Sequence, residues 1–212
     1  MELVRPWRNR YTIIYTAVAS NGANSLLSIN IPNALTMMRI CLIPVLVLVF
    51  YLPFQHHLLI AAGVFTVAAV TDWLDGYLAR RLGQMTKFGA FLDPVADKLM
   101  VAVALVLLVE RHNHILLTLA ASVIIGREIV VSALREWMAT LGQRTSVAVS
   151  YIGKVKTAFQ MIAIIGLLAI DPVLDEGWLL ALCYLMLYAA AVLTLWSMVI
   201  YLRAAAEVMK GQ

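Results

Sequence analysis

Six long apolar stretches, separated by short polar connections, follow one another between about residues 35 and 203. Each stretch is close to the roughly 20 residues that a helix needs to cross a bilayer. Backbone inside lipid must satisfy its own hydrogen bonds, so these stretches should be helices. The pattern therefore predicts an all-α polytopic membrane protein, a bundle of six transmembrane helices, with spans near 35–53, 57–78, 94–111, 115–136, 153–171 and 178–203.

Residues 1–30 do not follow this pattern. A basic start and a short apolar patch lead into a stretch rich in Ser, Asn and Gly. A cleaved signal peptide has a longer apolar core, and its removal would export the next segment and invert the distribution of basic residues. We therefore expect a poorly ordered N-terminal extension at 1–30 and one membrane domain at 31–212.

The composition agrees with a membrane protein, since 63% of the residues are hydrophobic and only 13% are charged. Soluble domains are about 45–50% apolar and about 25% charged. All lysines and arginines except Arg111 lie in the tails, in the connections near 79–93 and 137–153, or at the neighbouring span ends. The positive-inside rule then predicts that both termini are cytoplasmic. The net charge of +4 suits anionic headgroups and phosphates, and we expect no nucleic-acid partner.

Four aspartates interrupt the apolar pattern around the connection between the second and third spans: Asp72, Asp75, Asp93 and Asp97. The members of each pair are three or four residues apart and share a helix face, and antiparallel helices would bring the two pairs together. Because Asp93 precedes Pro94, we expect the third helix to begin there with Asp93 as its cap. Small residues and an arginine on the same surface can admit a phosphate-bearing ligand: Gly76, Ala79, Gly89 and Arg80.

Carboxylates held this close repel one another unless cations neutralise them. Oxygen-only ligands favour Mg²⁺ or Mn²⁺ over zinc, so the sequence predicts a site for two such ions and phosphoryl chemistry. Two alternatives are aspartates that only neutralise surface lysines and arginines, and a membrane cation transporter. Transporter sites lie near the midplane between repeats, whereas this motif lies at one boundary and has no second copy in the chain.

A second charged cluster lies in the segments GREIVVSALREW and SYIGKVK. Arg127 either pairs with Glu128 or with a carboxylate on another helix, or it belongs to a second anion pocket that opens towards the cytoplasm. The lysines either anchor a span or bind phosphate, which gives four candidate phosphate ligands: Arg127, Arg135, Lys154 and Lys156. Near the start of the first span, Asn33 and Thr36 can cap the helix or bind a ligand. Capping and snorkelling at the interface would also explain Asn33, Thr36 and Arg39 together.

The aspartate pattern D-x2-D-G-x2-A-R-x8-G-x3-D-x3-D is complete from Asp72 to Asp97. It resembles the signature of the CDP-alcohol phosphatidyltransferase family without departures. Further segments, among them NIPNALTMMRI and SVAVSYIGKVKT, resemble the bacterial branch of that family that uses glycerol 3-phosphate as the acceptor. The resemblance covers about residues 31–205.

This resemblance implies a dimeric six-helix enzyme of the bacterial cytoplasmic (inner) membrane with a cytoplasmic active site. Its reaction would transfer the phosphatidyl group from CDP-diacylglycerol to sn-glycerol 3-phosphate, giving phosphatidylglycerophosphate and CMP. The motif positions imply that Asp97 is the general base and that the metals are bound by Asp72, Asp75, Asp93 and Asp97. They place CDP-diacylglycerol near Asn33, Thr36, Gly76, Ala79, Arg80, Thr86 and Gly89. Phosphatidylglycerol, inositol phosphate and serine are the alternative acceptors.

Overall fold

The computed structural model describes residues 31–82, 87–140, 151–174 and 177–210. This part of the chain is all helical, and its six helices are α1 (Ile31–Tyr51), α2 (His57–Leu82), α3 (Lys87–His112), α4 (Ile115–Thr140), α5 (Tyr151–Ala169) and α6 (Trp178–Lys210). They confirm the all-α fold class and coincide with the six apolar stretches. The expected extension at 1–30 lies outside the described residues.

The predicted start of the third helix at Asp93 is wrong. Helix α3 begins six residues earlier, at Lys87, so that Asp93 and Pro94 lie inside it. The proline lacks an amide hydrogen and costs the helix one hydrogen bond, to the carbonyl of residue 90 in the first turns. Pro94 is the eighth residue of α3, and the helix continues through it in spite of this loss. Asp93 therefore projects from the side of a helix and does not cap one.

The helices pack around one apolar core. Helix α1 packs on α2 and α3, α5 packs on α6 and α2, and α4 packs on α3 and α6. The fully buried side chains include Leu46, Phe65, Leu105, Ile124 and Leu168, each from a different helix. These contacts hold the N-terminal part of α3 against α1 and α2, which brings the aspartate segment beside the first helix.

Large apolar side chains also cover the outside of the bundle, among them Leu48, Val106, Leu185 and Trp196. Within the described part of the chain, three segments are long and apolar enough to cross a membrane: Asn33–Tyr51, Ile115–Met138 and Trp178–Arg203. The apolar segments His57–Asp72 and Lys156–Ala169 are shorter. An apolar outer surface around an apolar core is typical of a membrane protein.

Helices α3 and α4 are joined by two residues, Asn113 and His114. Asn113 has a φ of 44°, and its amide donates to the carbonyl of Val109 at 3.1 Å. Asparagine tolerates this left-handed conformation better than most residues do, and it commonly ends helices in this way. The two helices therefore reverse direction within a very short turn.

The end of the bundle around this turn, here called the far end, pairs its polar side chains closely. Arg111 Nη2 lies 2.6 Å from Asp171 Oδ2. His112 Nε2 donates to the carbonyl of Leu167 at 3.2 Å, because a carbonyl can only accept, and Nδ1 lies 2.6 Å from the hydroxyl of Tyr184. Burial lowers the pKa of His112, which favours its neutral form.

Candidate functional site

At the opposite end of the bundle, here called the motif end, a buried arginine bridges two of the motif aspartates. Arg39 on α1 is only 1% exposed, and its Nη1 lies 2.6 Å from Asp72 Oδ1 on α2 and 3.5 Å from Asp93 Oδ1 on α3. The hydroxyl of Thr36 donates to the same Asp93 oxygen at 3.3 Å. Three helices thus contribute to one charged cluster, as the facing of the aspartate pairs predicts.

The snorkelling interpretation of Arg39 is wrong, because its side chain points into the bundle and contacts carboxylates. Asn33 and Thr36 are buried on the same face of α1, six and three residues before Arg39. Asn33 is also the third residue of α1, so it does not cap the helix. The charge attraction of the aspartates, together with the burial of this face against α2 and α3, holds the arginine inside.

Asp97 lies one turn further along α3 than Asp93, and it differs from Asp72 and Asp93 in its contacts. No described residue forms a hydrogen bond or an ion pair with its carboxylate. Asp97 lines a narrow cleft together with Arg39 and Asp72, and it also lines a larger polar cavity on its other side. Its carboxylate therefore stands between the arginine–aspartate cluster and that cavity.

The larger cavity has a volume of about 200 Å³ and is here called the cationic cavity. Three of the four predicted phosphate ligands line it: Arg127, Arg135 and Lys156. It is smaller than the roughly 300–1,000 Å³ typical of drug-sized ligands, so it suits a small polar molecule. The structure thus brings together residues from α4 and α5 that are separated in sequence by a connection outside the described residues.

Lys156 is the most unusual of these side chains. It is 3% exposed, and no carboxylate of a described residue pairs with its ammonium group. Buried lysines are rarely charged without a partner, because removing the ammonium from water costs several kcal/mol. A buried ammonium at the wall of a cavity is therefore suited to an anionic ligand.

Arg127 is held in place by two neighbours. Its Nη1 lies 2.5 Å from Glu128 Oε1, and its guanidinium carbon is 6.0 Å from the centre of the Tyr201 ring on α6. The Nε of Arg127 is buried and has no hydrogen-bond partner among the described residues. The pairing of Arg127 with Glu128 is confirmed. Arg127 also lines the cationic cavity, where anion binding stays a prediction.

Lys98, next to Asp97, points in a different direction. Its ammonium donates to the hydroxyl of Ser132 and so ties α3 to α4. Lys98 and Glu128 also border an apolar groove of about 640 Å³ between these two helices. The groove adjoins the cationic cavity through these two residues and Val101.

The oxygen-only character of the motif end fits a divalent cation. The described side chains contain no group of three or more His, Cys, Asp or Glu arranged to hold one. However, Asp75 belongs to the motif and its side chain is not described. Asp72 and Asp93 both contact Arg39. The positive charge of this arginine therefore lies where a bound cation would contact the oxygens of these two carboxylates. Hard oxygen donors of this kind suit Mg²⁺ or Mn²⁺.

Several predicted ligands lie where the structure does not describe their side chains. Asp75, Gly76, Ala79 and Arg80 are in the last turns of α2, and Lys154 is in the first turn of α5. Thr86 falls wholly outside the described residues. Gly89 lies in the first turn of α3, on the same helix as Asp93 and Asp97.

Three residues of the site were not identified as ligands in the sequence: Arg39, Gln160 and Tyr201. A signal was present for two of them. Arg39 follows Asn33 and Thr36 at a spacing of three, and Gln160 follows Lys156 at a spacing of four, which places each on the same helix face as a recognised candidate. Tyr201 has no such local signal, because its contact with Arg127 joins residues on two different helices.

Comparisons with known proteins identify the family of the chain. Residues 29–196 match the model of the CDP-alcohol phosphatidyltransferase family, whose members are generally metal-dependent. Among similar proteins, the CDP-diacylglycerol–glycerol-3-phosphate 3-phosphatidyltransferase of Pseudomonas fluorescens is 60% identical over 177 residues, 83% of this chain and 90% of the relative. The proteins of the same name from Pectobacterium atrosepticum and Salmonella choleraesuis are 58% and 56% identical, over 83% of this chain and 94% of each relative. The chain belongs to the CDP-alcohol phosphatidyltransferase family.

Proposed function

We propose that the protein transfers the phosphatidyl group of CDP-diacylglycerol to sn-glycerol 3-phosphate, releasing phosphatidylglycerophosphate and CMP. Family membership and the names of relatives at 56–60% identity support this reaction. The observation that carries the mechanism is the position of Asp97, between the arginine–aspartate cluster and the cationic cavity. A donor on one side and a phosphorylated acceptor on the other would both reach this carboxylate.

The donor would bind at the motif end. We assign two divalent ions, Mg²⁺ or Mn²⁺, to the carboxylates Asp72, Asp75, Asp93 and Asp97. When bound, such ions stabilise negative charge on the diphosphate and on the departing CMP. The CDP part of the donor would contact Asn33, Thr36, Gly76, Ala79, Arg80, Thr86 and Gly89. The arginine and the backbone at the small residues suit phosphate oxygens.

The acceptor would occupy the cationic cavity. Its phosphate would meet the ammonium of Lys156 and the guanidinium groups of Arg127 and Arg135, with Lys154 completing the set. The buried ammonium of Lys156 favours this assignment, because an incoming phosphate supplies the counter-charge that the described residues do not. An acceptor without a phosphate, such as serine, would leave this ammonium unpaired.

Asp97 would then remove the proton from the primary hydroxyl of the acceptor. The hydroxyl oxygen forms a bond to the phosphorus that carries diacylglycerol, and the bond from that phosphorus to the CMP oxygen breaks. The proton goes to Asp97, and the electron pair of the broken bond leaves on CMP. General-base catalysis of this kind contributes about 10²–10⁴-fold to a rate.

We extend the proposal to the membrane setting. All six helices would cross the bacterial cytoplasmic membrane with both termini and the active site on the cytoplasmic side, as the distribution of basic residues predicts. The acyl chains of the donor would remain in lipid while its headgroup reaches the aspartates. The working unit would be a homodimer of a domain that begins near Ile31.

The test is CMP release by the purified protein in detergent micelles with CDP-diacylglycerol. Glycerol 3-phosphate, serine, inositol phosphate and phosphatidylglycerol are compared as acceptors, each with Mg²⁺ and with a chelator. We expect metal-dependent release with glycerol 3-phosphate. Release only with another acceptor would keep the mechanism and overturn the substrate, and no release by folded protein would overturn both.

A pair of charge-matched variants locates the acceptor. Lys156→Met should raise the KM for glycerol 3-phosphate about 10–100-fold, since one charge-assisted contact to phosphate is lost. Arg111→Met removes a cation at the far end and should leave this KM unchanged. Equal effects of the two variants would show that general loss of charge, rather than loss of a ligand, explains the result.

A further inference from the structure

Gln160 is a neutral polar residue that lines the cationic cavity. It lies on α5 one turn beyond Lys156 and is 5% exposed. The next residues on the same buried face are Ala163, Ile164 and Leu167, which belong to the apolar core. Gln160 is therefore the last polar side chain on this face before the helix enters the core.

The amide of Gln160 has no hydrogen-bond partner among the described residues. The amide borders the cationic cavity, and it offers two donors and one acceptor oxygen to whatever occupies that space. Such an amide is suited to a neutral hydroxyl, which both donates and accepts.

The other parts of a phosphorylated alcohol already have partners in the proposed function. The phosphate would meet Lys156 and Arg127, and the reacting hydroxyl would meet Asp97. In glycerol 3-phosphate this leaves one polar group, the secondary hydroxyl on the middle carbon, between the phosphate and the reacting end. Gln160 lies about 6 Å along α5 from Lys156. At this spacing, one molecule of glycerol 3-phosphate could contact Lys156 with its phosphate and Gln160 with its secondary hydroxyl.

We propose that Gln160 is a specificity-determining residue that hydrogen-bonds the non-reacting hydroxyl of the acceptor. The inference rests on the proposed function and deepens it. It predicts that the cavity selects phosphorylated alcohols that carry a hydroxyl beside the reacting carbon. An acceptor without that hydroxyl would leave the buried amide unpaired, which is how sites that hydrogen-bond a hydroxyl reject its deoxy analogue.

The probe pair is glycerol 3-phosphate and 3-hydroxypropyl phosphate, which keeps the phosphate and the reacting primary hydroxyl but lacks the secondary one. The wild-type protein should prefer glycerol 3-phosphate about 10–100-fold in kcat/KM, measured as CMP release. In Gln160→Met, which keeps the side-chain volume, the ratio should fall to about 1 because activity with glycerol 3-phosphate alone declines. Lys156→Met is the matched control. Because both acceptors carry the phosphate, this variant should lose activity with both, and its ratio of the two kcat/KM values should stay at that of the wild-type protein.

A second measurement does not depend on turnover. Glycerol 3-phosphate should raise the Tm of the wild-type protein more than 3-hydroxypropyl phosphate does, and Gln160→Met should remove this difference. Equal losses with both acceptors in Gln160→Met would mean a structural role and overturn the proposal. Equal use of both acceptors by the wild-type protein would also overturn the proposal for Gln160, but it would leave the proposed function unaffected. Failure of the folded wild-type protein to use glycerol 3-phosphate would overturn the proposed function and this inference with it.

Discussion

The two ends of the helix bundle both contain charged and polar side chains at half-buried or buried positions, but they satisfy them differently. At the far end, Arg111 pairs with Asp171 through Nη2, although its buried Nε has no hydrogen-bond partner among the described residues. Both ring nitrogens of His112 have hydrogen-bond partners. At the motif end, neither Asp97 nor Lys156 has a partner among the described residues.

Polar groups that are paired within the protein stabilise the fold, whereas groups without a partner inside the protein are candidates for binding a ligand. A polar group that is paired inside the protein contributes to stability, whereas one left without a partner costs free energy until something binds it. Proteins depart from full pairing mainly at functional sites. Variants at the two ends should therefore change different properties.

The largest expected effect is on catalysis, in Asp97→Asn. The amide cannot accept the proton of the acceptor hydroxyl, so we expect the rate of transfer to fall about 10³-fold, within the range attributed to a general base. Binding of CDP-diacylglycerol, measured as a rise in Tm, should largely persist. The far-end variant Tyr184→Phe removes one hydroxyl and should leave the rate unchanged. Wild-type turnover by Asp97→Asn would refute the assignment of the base.

The next largest effect is on stability, in Arg39→Met. Removing the arginine leaves Asp72 and Asp93 facing each other without its charge. Breaking a fully buried ion pair costs about 3–5 kcal/mol, but these aspartates are 39% and 40% exposed, so we expect about 1–3 kcal/mol and a lower Tm. Because Mg²⁺ would bind the same carboxylates, it should raise the Tm of this variant more than that of the wild-type protein.

Arg111→Met is the control for this experiment at the far end. Its ion pair with Asp171 is partly exposed, so its removal should cost at most about 1 kcal/mol, and the loss should not respond to Mg²⁺. An Arg39→Met protein whose Tm is insensitive to Mg²⁺ would contradict the placement of the cation among these aspartates.

The smallest effect is a pH dependence from the far end. Burial lowers the pKa of His112 in the folded protein, so the unfolded chain binds the proton more readily. The stability that neutral His112 contributes is therefore complete above the unfolded pKa of about 6.5 and is lost as the pH falls below it. We expect a fall in Tm of about 1–3 °C between pH 7.5 and 5.5. His112→Gln should abolish this part of the pH dependence, and a pH profile identical to that of the wild-type protein would exclude His112 as its source.

The sequence predicted the features of the site that depend on local spacing. Apolar length identified the helices, and spacings of three and four placed each aspartate pair on one face. Local signals were misleading at Asp93 and Pro94, because α3 continues through Pro94 as its eighth residue, so this proline does not mark the first turn. Asp93 projects from the side of α3, and does not cap it, because the helix already begins at Lys87.

The contacts that join different helices could not be predicted in this way. Arg39 meets Asp72 and Asp93 across 33 and 54 residues of sequence, and Arg127 meets the Tyr201 ring across 74. Such contacts depend on how the helices pack, which no spacing within one segment specifies. The position of Asp97 between two cavities also depends on helix packing, because the walls of these cavities come from α1, α2, α4, α5 and α6 as well as α3.

The two-residue turn at Asn113 also sets the axial register of the site. Lys98 precedes Asn113 by 15 residues, about 22 Å of helix, and Ser132 follows His114 by 18 residues, about 27 Å. Their side chains nevertheless meet, because so short a turn leaves α3 and α4 little freedom to slide past each other. A longer turn would leave this alignment to side-chain packing alone. The length of the turn at one end of the bundle thus determines how Asp97 on α3 stands relative to Arg127 on α4 at the other.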